Sequence, residues 1–202
     1  MTELAIHAAD RDIANELCEQ VRSAYHDRTP LRIVAGNTRA FYGRPVEGTE
    51  LNVAAHSGIV SYDPIELVVT VRAGTRLSAL NAALAEKHQM LPFEPPIFGD
   101  ASTIGGAVAT GMSGPRRPWA GAARDFVLGT RVITQEGKLL RFGGEVMKNV
   151  AGYDLSRMMA GAQGTLGVLA DISFKVLPIP TASHSLRLEM GLQDALAKLS
   201  EL

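Results

Sequence analysis

At 202 residues, with 46% hydrophobic and 20% charged side chains, the chain can bury one sizeable core or two small subdomains that share an interface. A net charge of −1 supplies no field for nucleic acid or an anionic membrane surface. The single cysteine, Cys18, excludes an intrachain disulfide and a thiolate metal cluster, and with neither a signal-peptide pattern nor a run of about 18 apolar residues the expectation is a cytoplasmic protein.

Residues 10–27 carry Ile13, Leu17, Val21 and Tyr25 on one helical stripe, which predicts an amphipathic helix capped by Asp10, with Cys18 as a core filler beside the stripe. Leu31–Ala35 reads as a short strand running into G-N-T-R-A-F-Y-G-R (36–44). Gly36 and Asn37 tolerate positive φ, Thr38 adds a donor, and Arg39 or Arg44 adds charge, so this turn suits an anion; a plain strand turn with an exposed arginine is the other reading. Strands are predicted at 51–54, 59–62 and 67–72, the last rich in β-branched residues. A helix follows from Thr75, its expected cap, to Lys87, with Leu77, Leu80 and Leu84 on one face. His56 and His88 read as solvated loop or helix-end residues, and neither has the i+4 partner of a metal pair.

Three prolines between Met90 and Asp100 stiffen the approach to F-G-D-A-S-T-I-G-G-A-V-A-T-G-M-S-G (98–114). Gly105, Gly106, Gly111 and Gly114, with four small hydroxyls, let backbone amides approach a phosphate-bearing or planar cofactor, unless the segment is only a tightly packed turn. The Gly106–Gly111 spacing is that of a P-loop, but Met112 and Ser113 replace the Lys-Ser/Thr pair, and no G-x-G-x-x-G occurs. Ile104–Thr110 reads as a short helix whose N-terminal amides face a ligand.

Gly114–Gly121 places Arg116, Arg117 and Trp119 on a Pro-bracketed loop, either solvated or in contact with cofactor or partner. A hairpin is predicted from 126–135 and 138–142 about Glu136-Gly137, then a second glycine cluster (Gly161, Gly164, Gly167) before a strand at 168–177. Lys148, Tyr153 and Asp154 are the titratable groups nearest that cluster, read as turn or cap residues. A last strand and helix are expected at 185–190 and 192–202.

Three glycine-rich sites in this order, with a hairpin between the second and third, resemble the FAD-binding domain of the vanillyl-alcohol oxidase / p-cresol methylhydroxylase (VAO/PCMH) family. The matching pieces are A-G-N-T-R (35–39), D-A-S-T-I-G-G-A-V-A-T-G (100–111), R-D-F-V-L-G-T-R-V-I (124–133) and G-A-Q-G-T-L-G-V-L (161–169). Within that family the likeness is to FAD-binding accessory subunits of bacterial glycolate oxidases, carried by G-N-T-R-A-F-Y-G-R, S-G-P-R-R-P-W-A-G and M-K-N-V-A-G-Y-D-L-S-R-M-M-A-G-A-Q-G-T-L-G-V-L.

The resemblance implies an α+β fold: a PCMH/VAO-type FAD-binding domain of two α+β subdomains, 1–95 and 96–180, with FAD extended between them and the start of a C-terminal cap domain at 181–202. Gly36, Asn37, Thr38 and Arg39 would hold the diphosphate. Asp100, Ser102, Thr103, Ile104, Gly105 and Gly106 would line the diphosphate and flavin side, and Thr110, Gly111 and Gly114 would pass close by. Gly164, Thr165, Gly167 and Val168 would close the adenine-proximal or ribityl face. Members with covalent flavin often use a histidine in the first loop; Asn37 and Thr38 stand there instead, which implies non-covalent FAD. Ala35 replaces a common glycine, and Ala162-Gln163 stand where many relatives read Ser-Glu.

The function so implied is that of an FAD-binding subunit in a complex oxidising glycolate or another small 2-hydroxy acid. A second flavin subunit and an iron–sulfur subunit would be its partners, and the inner face of the membrane would be reached through them. No catalytic base and no metal ligand is assigned. The other reading is a non-catalytic assembly subunit that keeps the fold and binds FAD weakly or not at all.

Overall fold

The structure, a computed structural model, describes residues 10–144 and 153–201; Lys148 and the motif segment 147–152 lie outside them. Helix α1 (Ala14–His26) leads to a parallel pair, β1 (Leu31–Val34) and β2 (Thr49–Asn52). A five-stranded antiparallel sheet follows, formed by β3 (Ile59–Asp63), β4 (Val68–Arg72), β6 (Val127–Ile133), β7 (Leu139–Gly143) and β8 (Val168–Lys175), in the order β3-β4-β8-β6-β7. Strands from both sides of residue 95 thus share one sheet. A two-residue pair, β5 (Gln89–Met90) with β9 (Leu177–Pro178), lies apart. The remaining helices are α2 (Leu77–Ala85), α3 (Ile104–Thr110), α4 (Arg117–Ala120), α5 (Ala123–Phe126), α6 (Leu155–Met158) and α7 (Leu192–Leu199).

β8 is the central strand and is buried on both faces. Leu169, Ile172 and Phe174 join Val69 and Val71, the α2 leucines, and Ile104, Ala107 and Val108 of α3. Each fully buried α2 leucine contributes roughly 2 kcal/mol of apolar burial. On the other face Val168, Ala170 and Ile133 pack with Ile13, Leu17, Cys18 and Val21, and with Leu51 and Val53; burial pushes the Cys18 thiol above its ordinary pKa. Arg131 pairs with Asp171 but Val132 pairs with Leu169, so Ala170 is an extra residue, a β-bulge. Beyond the bulge Ile172 and Phe174 keep to the α2–α3 face, which by alternation turns Asp171 to the α1 face.

Several local expectations change. The first helix starts at Ala14, and Asp12 Oδ1, not Asp10, accepts from the Ala14 amide at 2.9 Å. Asp10 is instead ion-paired with Arg72, 62 residues away in sequence. Thr75 does not cap α2, which has Arg76 at that position; its hydroxyl accepts from the Gly58 amide at 2.9 Å. Residues 185–190 pair with no strand among the described residues, and α7 buries none of its side chains. The Gly114–Gly121 loop contains the short helix α4 and leaves Trp119 exposed. Among the described residues no helix is long and apolar enough to cross a membrane.

Candidate functional site

The loop after β1 is shaped by how closely it passes the chain ahead of α3. A Cβ on Gly36 would lie 1.6 Å from the Ala101 carbonyl oxygen, so only glycine permits the approach. Asn37 follows in the left-handed region at φ 51°, a conformation that turns successive N–H groups toward one concavity. Among the described residues the amides of Asn37, Thr38 and Arg39 donate to no backbone carbonyl. Thr38 and Ser102 share a hydroxyl–hydroxyl bond of 3.1 Å, and Ser102 Oγ accepts from the Phe98 amide at 3.0 Å. The two loops are stitched at that point.

Arg39 completes this wall. Its side chain is buried, at 8% exposure. Nη2 donates to the Pro96 carbonyl at 2.6 Å and the guanidinium lies 5.4 Å from the Phe98 ring centroid, yet Nε has no partner. Burial pushes the Arg39 guanidinium below its ordinary pKa. A cation removed from water and left partly unpaired, beside three free amides, is a fitting host for a bridging anion such as a diphosphate.

Helix α3 forms the facing wall, and here one expectation is corrected. Its first amides are not free for a ligand. Ile104 N–H donates to the Thr75 carbonyl at 2.9 Å, Gly105 N–H to the Ala73 carbonyl at 2.8 Å, and Gly106 N–H to the Thr103 hydroxyl at 3.2 Å. The glycines also divide by role. A Cβ on Gly105 would meet Ala73 at 2.7 Å, so Gly105 serves helix-to-strand packing. A Cβ on Gly106 would approach only Thr103 Oγ1, at 3.3 Å, and Arg39 Nη1, at 3.5 Å. Gly106 is the glycine whose face opens toward Arg39.

The third wall is the turn before β8, where a Cβ on Gly164 would lie 2.8 Å from Ile33 Cδ1. The three walls enclose a cavity of about 450 Å³. Gly36, Asn37, Thr38, Arg39, Thr103, Gly105, Gly106, Thr110, Gly164 and Gly167 line it. Ser102 stands behind that lining through its bond to Thr38. Ile104 and Val168 are core residues on opposite faces of the sheet, because the first residue of each element turns inward. Gly111 ends α3 at φ 66°, Gly114 packs on the Glu94 carbonyl, Thr165 donates to the Ala162 carbonyl, and Asp100 is exposed. None of these six lines the cavity.

Sequence reasoning missed Ile33, Tyr42, Val53, Ala73, Met159 and Gln163 in the lining. Gln163 had a signal, its place between Gly161 and Gly164; the apolar ones had none, because core and cavity floor draw on the same residue types. Trp119 and Tyr153 are exposed away from the cavity, and Asp154 caps α6 by accepting from the Arg157 amide at 3.1 Å.

His56 is corrected most sharply. It is fully buried, not solvated. Nδ1 accepts from the Ile13 amide at 3.2 Å, which leaves Nε2 to donate to Asp171 Oδ1 at 3.0 Å. Arg131 Nη1 donates to Asp171 Oδ2 at 2.6 Å. Burial alone would raise the Asp171 pKa; the His56 hydrogen bond, then the Arg131 charge, outweigh it and hold the carboxyl below its ordinary value. The network ties the start of α1 and the β2–β3 turn to the sheet.

Residues 12–143 match the FAD binding domain family. The glycolate oxidase subunit GlcE of Escherichia coli K12 is 60% identical over 190 residues, covering 94% of this chain and 54% of that one. A D-lactate dehydrogenase of Anaerostipes hadrus is 33% identical, covering 76% and 32%. The glycolate oxidase subunit GlcD of Bacillus subtilis is 34% identical, covering 70% and 30%. The chain therefore spans about half, or less, of the curated relatives it matches. A solved structure of alkyldihydroxyacetonephosphate synthase shares the fold with a TM-score of 0.67 at 22% identity, covering 83% of this chain and 30% of that one. By the family match over most of its described length, and by the PCMH-type architecture in which three glycine-rich loops meet at one cavity, the chain belongs to the FAD-binding domain family.

Proposed function

We propose that this chain binds FAD non-covalently in the three-walled cavity and serves as a flavin subunit of a complex that oxidises glycolate or a related 2-hydroxy acid. The observation that carries the reading is Arg39: a buried guanidinium with a free Nε, facing amides that no carbonyl satisfies. Those groups call for an anion at the centre of the cavity. A dinucleotide with a central diphosphate supplies one, with a flat ring system on either side.

In this reading the Asn37–Arg39 amides and the Arg39 guanidinium hold the diphosphate, and Thr103 and Gly106 offer a face without bulk. The apolar floor of Val53, Ala73, Met159 and Leu169 excludes water beneath the ligand. FAD, when bound, supplies the two-electron acceptor for the C–H bond at the hydroxyl-bearing carbon. The 60% identity to a glycolate oxidase subunit supports the substrate class. Passage of electrons to an iron–sulfur partner belongs to the same proposal.

The test is a visible spectrum of the purified full-length protein, then turnover of glycolate and lactate by the complex it co-purifies with. Flavin bands, with glycolate oxidation lost on removal of this subunit, support the reading. A colourless protein that takes up no added FAD refutes it and leaves the non-catalytic assembly role.

A further inference from the structure

Arg39 is held by a segment that does not itself line the cavity, residues 93–98, F-E-P-P-I-F. The path of this segment is fixed at both ends and stiff between them. Phe93 is fully buried in the core, and its carbonyl accepts from the Gly114 amide at 2.8 Å. At the far end the Phe98 amide donates to Ser102 Oγ at 3.0 Å. Between them Glu94 sits in the left-handed region at φ 43°, and the rings of Pro95 and Pro96 restrict the next two φ angles. A residue bearing a Cβ stays at such a φ only where its surroundings over-determine it.

Two groups on this segment meet the Arg39 guanidinium. The Pro96 carbonyl accepts from Nη2 at 2.6 Å, and the Phe98 ring centroid lies 5.4 Å from the guanidinium carbon. The ring has a second neighbour from the Arg39 loop: Phe41 meets it edge-on, with centroids 5.1 Å apart and planes at 77°. With Nη2 tied to the segment, Nε stays unpaired, and Nη1 lies 3.5 Å from the place a Cβ on Gly106 would take, on the open face of the cavity. A long side chain loses rotamer freedom when an anion orders it; a guanidinium already stacked and tied has less of that freedom to lose.

We infer that Phe98 is a positioning residue: its ring, carried on the stiffened segment, holds the Arg39 guanidinium in the orientation that presents it to the anionic group of the cofactor. The inference rests on the FAD reading above. It adds a residue that stands outside the cavity lining and acts through Arg39.

The experiment uses full-length protein stripped of flavin, as wild type, Phe98→Leu, Phe98→Tyr, Arg39→Met and the Phe98→Leu/Arg39→Met double variant. Phe98 is 42% exposed, so Phe98→Leu opens no core cavity and should leave the ligand-free Tm within a few degrees of wild type. Fluorescence titration should show Phe98→Leu binding FAD about three- to tenfold more weakly, the scale of one partly exposed cation–π contact. Phe98→Tyr keeps the ring and should bind within about twofold of wild type. In the Arg39→Met background Phe98→Leu should change Kd by less than about twofold, because the group it acts through is gone. An equal loss in both backgrounds overturns the proposal, as does a loss that Phe98→Tyr fails to restore. In the flavin-free protein the NMR resonance of the Arg39 Nε–H, identified by its absence in Arg39→Met, should shift in Phe98→Leu and return in Phe98→Tyr; a resonance that Phe98→Leu leaves in place overturns the proposal as well. Failure of wild type to take up FAD sinks the cofactor reading, and this proposal with it. If wild type binds FAD while neither the cycle nor the resonance links Phe98 to Arg39, only the positioning role falls. Should Phe98→Leu not fold, Phe98→Met, which keeps apolar bulk without a ring, takes its place with the same expected loss.

Discussion

Replacing Arg39 by Met keeps a long apolar stem against Phe98 and removes the charge. In the ligand-free protein the guanidinium has one strong hydrogen bond, to the Pro96 carbonyl, a stacking contact with Phe98, and an unsatisfied Nε. The bond is worth about 1.5–3 kcal/mol and the stacking about 0.5–2 kcal/mol, against a desolvation cost of several kcal/mol for a buried cation. These nearly cancel, so Arg39→Met should shift the ligand-free Tm by only a few degrees. With FAD bound, the lost charge-assisted bond should cost about 1.5–3 kcal/mol, or roughly 10- to 150-fold in Kd. At FAD held near 100 times the wild-type Kd, ligand stabilises wild type by about 2.7 kcal/mol; a variant weakened about 100-fold keeps about 0.4 kcal/mol. For a chain of this size the FAD-induced rise in Tm should fall from about 5–11 °C to about 1–2 °C. Thermal unfolding with and without FAD measures both quantities. An undiminished FAD-induced rise in Arg39→Met refutes the claim that Arg39 meets the anion, and a collapse of the ligand-free Tm shows that it is a structural tie.

Gly36→Ala should cost about 3 kcal/mol or more, because the new methyl must move from 1.6 Å to beyond van der Waals contact with the Ala101 carbonyl; denaturant unfolding reads the loss, and FAD affinity should fall with it. Gly105→Val and Gly106→Val should separate: the first forces apart α3 and Ala73 and lowers the ligand-free Tm, while the second leaves that Tm within a few degrees and abolishes flavin retention. Equal behaviour of the two would contradict the division of roles. Asp171→Asn should destabilise the protein by about 2–3 kcal/mol at neutral pH, toward the low side for a buried pair because Arg131 is 34% exposed. Since the folded Asp171 pKa lies below the unfolded value of about 3.9, its stabilisation is complete above that value and is lost as pH falls through the folded pKa. The wild-type stability should therefore drop in acid more steeply than that of Asp171→Asn, and parallel curves would refute the assignment.

Much of this protein is written locally. The buried face of α1 at Leu17 and Val21, the β-branched run of β4, the leucine face of α2 and the bounds of α3 follow from periods and turn residues that each segment carries within itself, whereas Tyr25, on the same period, is exposed. The order of the glycine-rich loops likewise identifies the family and the three walls of its cavity. Pairings between distant residues are a different matter, since no local pattern announces them. Asp10 and Thr75 have the chemistry of helix caps but bond to Arg72 and Gly58, and His56 is buried against a carboxylate 115 residues away. Gly105 and Gly106 are indistinguishable as letters, yet Ala73 behind one and open cavity before the other separate packing from ligand contact. The amides at the start of α3 look available in sequence and are consumed by carbonyls from the β4–α2 turn. Residue type and spacing determined which groups could bind an anion; only the folded chain, by bringing competing donors and acceptors to the same places, decided which of them remain free to do so.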